Sequence, residues 1–272
     1  MDLRQRLLEL FPVASLRAGF ASKGSKDEIA RKVAMSSRAS GVDALVEFLD
    51  VNIGFCKQHT HVFYHDGLAD LPDTIQNAEL IRRGNSHALF LARIEYKVVK
   101  LNPLENDSIE FLWPIRVEMH QNYLVARFVV LEKNIGSYFD REVLVHGKSL
   151  SEKAITSGFL ADGTVTPADL NKGFKTLWHQ DQIDAARVKY KKPGSVVTQS
   201  MDEARGLKQF DRDAYEELSR LPLHQSIFIP YRSFADVGKF TANPTDGFIG
   251  FTRYFREGAS GDELIRQILE KN

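Results

Sequence analysis

The chain has 272 residues, 36 lysines and arginines against 36 aspartates and glutamates, and a single cysteine. That length can bury a substantial core, as one large domain or two smaller ones, while zero net charge excludes a global field drawing the molecule onto DNA or an anionic membrane. Cys56 alone excludes an intramolecular disulfide and a multi-cysteine zinc site. No apolar run approaches the roughly 18–20 residues of a membrane span, and MDLRQRLLELF is too charged for a signal peptide, so no membrane partner and an intracellular, reducing compartment are expected.

Residues 2–18 carry Leu3, Leu7, Leu8, Leu10 and Phe11 at helical spacing, with Pro12 predicted to split the stripe into two short helices. Gly19 is placed to supply the positive φ of a helix C-terminus. Ser25 followed three residues later by Glu28 has capping-box spacing, and predicts a second helix through Ile29 and Val33 to about Met35. A third helix is expected over residues 42–57, with Leu45, Val46, Leu49, Ile53 and Cys56 on its apolar stripe.

The period then shortens to two. Residues 60–65 read as a strand. In residues 88–98 the even positions Ala88, Phe90, Ala92, Ile94, Tyr96 and Val98 are apolar, while Arg93, Glu95 and Lys97 lie between them. The next strand repeats this with Ile109, Phe111, Trp113, Ile115, Val117 and Met119. A polar turn at His120-Gln121-Asn122 leads to residues 123–131, apolar on both faces except for Arg127, which predicts a central strand and an antiparallel meander.

Beyond Gly136 the signals mix. A short strand is expected over 140–145, a short helix over 150–156, and a helix opening at Thr166-Pro167-Ala168-Asp169 and carrying Leu170, Phe174, Leu177 and Trp178. Pro193-Gly194-Ser195 marks a break, and helices are expected over 200–206 and 211–221. Residues 226–256 read as irregular structure or short strands packing aromatics, and 262–270 as a terminal helix. The fold expectation is α+β: an N-terminal helical bundle, an antiparallel β-meander and a helix-rich C-terminal part. The domain boundary is placed at 1–66 and 67–272.

One stretch suggests a function. Gly19, Phe20, Gly24, Lys26, Ile29 and Val33 follow the order glycine, bulky apolar, glycine, lysine, then apolar residues three and seven positions on. Residues 16–33 therefore resemble the SAP motif, a helix-turn-helix-like DNA-binding module. Leu16 stands one residue closer to Gly19 than the usual pattern, and Asp27-Glu28 follow Lys26 directly. The resemblance implies that Lys23, Lys26, Arg31, Lys32 and Arg38 meet phosphates near a helix N-terminus whose amides also suit anions. Between Arg4 and Arg38 eight basic residues face three acidic ones, a local excess of five in a neutral chain. The plainer reading is a capped helical hairpin with a solvated basic face. More of the chain, a small helical bundle leading through Gln58-His59-Thr60-His61-Val62-Phe63 into a sheet, is similar in layout to the centromere protein N family, which implies DNA held by a helical module and an adjoining sheet.

A second basic run, Arg187-Val188-Lys189-Tyr190-Lys191-Lys192, offers Lys189, Lys191 and Lys192 to phosphates and Tyr190 for stacking on a base; its plainer reading is a solvated helix end before Pro193. Asp73, Glu95 and Lys97 have the order of a PD-(D/E)xK nuclease, in which two carboxylates bind Mg2+ and the lysine activates water. His59, His61 and His65 form a weaker metal candidate. Alternating charge on a solvated strand face accounts equally for Glu95 and Lys97. No Gly-x-Ser-x-Gly elbow or Gly-rich phosphate loop is present. The expected function is DNA binding through sequence-nonspecific backbone contacts, as a subunit of a larger complex with no cofactor; the alternatives are the Mg2+-dependent nuclease and a protein-interaction module.

Overall fold

A computed structural model describes residues 2–40, 43–67, 70–131, 135–161, 163–192, 195–200, 206–257 and 259–272. The chain is a mixed α+β protein whose strands pair antiparallel. Helices α1 (Leu3–Leu8) and α2 (Val13–Phe20) lie on either side of Pro12, whose extended backbone separates them as expected. The reversal after α2 falls at Ala21, with φ 46°, rather than at Gly19. Gly19 is required for a different reason: a Cβ there would lie 2.5 Å from Cδ2 of Phe48.

Helix α3 (Lys26–Ser40) opens on the predicted capping box. The Ser25 amide donates to Glu28 Oε2 at 2.8 Å, and the Glu28 amide donates to Ser25 Oγ at 3.3 Å. Helix α4 (Asp43–Asn52) passes into a 3-10 turn, Ile53–Phe55, short of the predicted end at 57. Leu7, Leu8, Phe11, Leu16, Ile29, Val33, Phe48, Leu49 and Cys56 form one buried cluster. Phe48 is its centre, with ring centroids 5.1 Å from Phe11 and 4.6 Å from Phe20. Each large side chain taken fully out of water contributes about 1.5–3 kcal/mol.

The strands that follow are β1 (Gln58–His65), β2 (Ala78–Arg83), β3 (His87–Lys100), β4 (Glu105–His120), β5 (Tyr123–Val129) and β6 (Val143–Lys148). β3 pairs with β4 from His87↔Glu118 to Lys100↔Glu105. This register sets Ala88, Phe90, Ala92 and Ile94 opposite Val117, Ile115, Trp113 and Phe111, so the two apolar periodicities merge into one face. β2 takes the other edge of β3 at Ala88–Ala92, and β6 takes the same edge at Tyr96–Lys100. On the opposite face Leu89 is buried against the helical cluster, with Leu91 and Leu112 packed on it. Helix α5 (Glu152–Leu160), capped by Ser151, begins two residues later than predicted.

Strand β7 (Val165–Pro167) occupies the place where a helix start was expected. Pro167 pairs with Phe63 of β1, and helix α6 (Asn171–His179) begins after it. Strand β8 (Ile183–Lys192) replaces the expected helix end before Pro193, and β9 (Ser195–Ser200) pairs with it. The helix expected over 200–206 falls almost wholly on residues outside those described. Helices α7 (Leu207–Phe210) and α8 (Arg212–Leu218) follow. The stretch read as irregular resolves into β10 (Ser226–Pro230), β11 (Phe240–Asn243) and β12 (Phe248–Phe251), and the chain closes with α9 (Ala259–Glu270).

Two compact units result: Met1–Cys56 with Leu68–Glu118 and Phe128–Thr164, and Lys57–Gly67 with Met119–Arg127 and Val165–Asn272. In the second, the strand order is β1-β12-β11-β10-β8-β9. Phe228, Phe240 and Phe251 stand in register across β10, β11 and β12, with neighbouring centroids 5.6 and 5.8 Å apart. They share a buried cluster with Phe174, Leu177 and Trp178 of α6 and with Leu264, Ile265 and Ile268 of α9. Arg127, the predicted charge within β5, is buried and paired with Asp262 of α9.

Candidate nucleic-acid interface

The N-terminal cations divide by helical phase. Buried Ile29, Ala30, Val33 and Ala34 fix the inner side of α3, which leaves Arg31 and Lys32 exposed beside a 68 % exposed Met35. Lys23 is exposed in the loop before the helix, with Arg17 Nη2 donating to the neighbouring Gly24 carbonyl at 2.9 Å. Lys26 is half-buried, and its charge acts on the Cys56 thiol, which burial pushes far above its ordinary range. The side chain of Arg38 lies outside the described residues. Glu28 sits on the outer side with Arg31 and Lys32; its bonds to Ser25 hold its carboxyl below the usual range. The capping box therefore already uses the amides of Ser25 and Glu28, and places two carboxylates, Asp27 and Glu28, in the first turn.

In β8 a different periodicity applies. Val188 and Tyr190 turn into the core, Tyr190 at 3 % exposure. The stacking role foreseen for Tyr190 is thereby overturned, because strand alternation places its ring among Leu207, Leu218 and Leu223. Arg187 is exposed and Lys189 half-buried on the outer side, two residues apart and thus about 6.8 Å along the strand. Lys189 Nζ donates to Gln225 Oε1 at 3.2 Å. Lys191 continues the register opposite Val196, but the side chains of Lys191 and Lys192 are outside the described residues.

Register extends this outer side across the sheet. Arg187 stands opposite Ile227, Ile227 opposite Thr241, Thr241 opposite Gly250, and Gly250 opposite His59. Directly opposed residues share a face. Phe248, two positions before Gly250, stands opposite both Asn243 and His61. A Cβ at residue 250 would lie 3.2 Å from the Phe248 ring and 2.6 Å from Thr241 Oγ1, so glycine there lets the ring lie over the backbone. His59 and His61 meet that ring edge-on, at 5.4 and 5.2 Å. Between these rows lies a cavity of about 450 Å³, lined by His61, Arg187, Gln225, Thr241, Asn243 and Phe248 among others. Cations and π surface on one open sheet face suit phosphates and bases.

Phe248, Asn243, Gln225 and Ile227 were not foreseen as site residues. Their signal was the alternation of Gln225, Ile227 and Ile229 with Ser226 and Phe228, masked by the Pro and Gly residues around the short strands.

The nuclease residues are not gathered. Asp73 and Asp70 both pair with Arg83, which stands opposite Ala88. Glu95 lies seven residues further along β3, roughly 23 Å of strand away. Glu95 stands opposite Glu110, and Lys97 between Ser108 and Gly147. Among the described residues no group of three or more His, Cys, Asp or Glu side chains is placed to hold a metal ion. His59 and His61 share a face, while His65 is buried at 3 %. No family model and no curated protein matches the chain.

Proposed function

We propose that this chain is a nucleic-acid-binding protein that holds DNA by its phosphates, with little sequence preference, as an intracellular subunit of a larger assembly. The observation that carries the reading is the outer side of β8: Arg187 and Lys189 stand two residues apart on a sheet face that also bears Phe248 of β12, in a chain of zero net charge. Phosphate contacts position a protein without reading bases, which accounts for the weak sequence preference. Lys23, Arg31 and Lys32 supply a second set of cations within residues 1–66, read as a SAP-like helical module preceding an antiparallel meander and a helix-rich C-terminal part. The metal-dependent nuclease is not carried forward, since Asp73 is committed to Arg83 and Glu95 lies far along β3.

Anisotropy of a short labelled duplex, titrated at several salt concentrations, tests this. The affinity is expected to fall steeply with salt, at about 0.9 in log–log slope per phosphate contact. The double variant Arg187→Glu, Lys189→Glu is expected to shallow that slope by about two contacts. Duplex affinity unchanged by salt and by both reversals would sink the proposal.

A further inference from the structure

We infer that the sheet-face cavity of the second unit is a seat for an unpaired nucleobase, so that the nucleic acid held on this face is single-stranded. The inference rests on the nucleic-acid reading above and names its substrate more narrowly.

The first argument is the shape and chemistry of the cavity. At about 450 Å³ it falls in the size range of small-ligand sites and is far too small for a duplex. Its floor is the Phe248 ring, laid over Gly250 and met edge-on by His61, which also lines the cavity. Ile227 and Thr241 continue that floor toward β8. An aromatic surface on a sheet, half-open to solvent, offers a base an apolar face to stack on, and every base has such a face. In a duplex those faces are already covered by neighbouring base pairs.

The second argument is the polar rim. Asn243 turns Nδ2 toward Asp246, which fixes its orientation, while its Oδ1 is closed off from solvent. The polar groups of the lining that a base edge can meet are those of Gln225 and Thr241. Across the cavity Arg187 offers a guanidinium to the phosphate of the same nucleotide. Lys189 follows two positions along β8 on the same outer side, so a second cation stands beyond the cavity along one strand. A free nucleotide would use the cavity and Arg187 alone; a second cation, Lys189, beyond it suits the next phosphate of a chain. This selects the strand over the mononucleotide.

The test uses the full chain and three labelled or competing probes: oligothymidylate, a duplex of the same length, and thymidine 5′-monophosphate. The oligothymidylate is expected to bind roughly tenfold more tightly than the duplex at equal salt, and the monophosphate to compete only weakly. Phe248→Ala should lose roughly tenfold or more on the single strand while changing duplex affinity little. Phe248→Leu keeps apolar bulk, guards against a folding artefact, and should show the same loss with thermal melting close to the parent. If both variants bind oligothymidylate as the parent does, or the monophosphate competes as well as the strand, the nucleobase seat is overturned while duplex binding leaves the phosphate reading standing. If no DNA binds, both are overturned.

Discussion

Helix α3 and strand β8 carry comparable basic runs and present them in opposite ways. In α3 a step of roughly 100° per residue spreads the cations around the axis: Lys26 is half-buried, Arg31 and Lys32 turn outward, and Glu28 joins them on the outer side. In β8 residues 183–186 are all buried up to an irregularity in the pairing with β10, but from Arg187 to Tyr190 a step of 180° sorts cleanly. Val188 and Tyr190 go to the core, Arg187 and Lys189 to the outside, and no acidic residue of the strand shares that side, since Asp184 is buried with Trp178. By composition each segment carries four basic residues. Periodicity makes one of them mixed and the other uniform.

The largest effect should come from breaking the sorting in β8. Tyr190→Ala empties a buried aromatic site and is expected to cost about 3–4 kcal/mol by denaturant unfolding, whereas Lys189→Ala next to it should stay within about 0.5 kcal/mol. Similar losses for the two would mean that the alternation is wrong. In the helical region the matching contact is Gly19 against Phe48. Gly19→Ala drives a methyl into a ring already wedged between Phe11 and Phe20, and about 1–2 kcal/mol of stability should be lost despite the gain in helix propensity.

Binding measurements sharpen the contrast at smaller scale. Arg187→Glu with Lys189→Glu should weaken DNA binding about tenfold at low salt, and Arg31→Glu with Lys32→Glu only about threefold, because Glu28 already offsets the helical field. Equal losses from the two pairs would remove the distinction drawn between them. The smallest effect is at Glu28 itself. Glu28→Gln keeps an acceptor for the Ser25 amide while deleting the charge, so DNA affinity should rise about twofold with little change in melting temperature. Ser25→Ala, by contrast, deletes the cap and should cost about 1 kcal/mol without altering the field.

How much of this was legible in the sequence depends on the length of each periodic segment. The Ser25–Glu28 cap, the split at Pro12 and the β3 and β4 faces could all be read, because each rests on local spacing maintained over a turn or over ten residues. The strands β10, β11 and β12 could not, since each has only four or five residues set among prolines and glycines. β8 was misread for another reason. Lysine-rich segments favour helix ends as readily as strand faces, and what decides β8 is pairing with β10 and β9, a tertiary fact. Pro167 misled likewise: proline opens helices well, but here its missing N–H is accommodated at a short edge strand beside β1. Of the candidate site, the cations of β8 were visible and the aromatic floor was not, because Phe248 reaches His59 and His61 only through strand pairing.

The pairing of β1 also sets an order of events. β3 meets β4 through a connection of four residues, Leu101–Leu104, so that hairpin can zip as soon as both strands exist. Gln58 instead waits for Phe251, nearly two hundred residues later. Closing so long a loop is slow, and the reward arrives only when the last strands are in place. During synthesis β1 therefore leaves the ribosome long before β12, with the Gln58–His61 part of that strand edge exposed to whatever else is present. The second unit is thus the late-forming part of the protein, and conditions that slow or interrupt elongation past residue 248 should harm it before they harm the first.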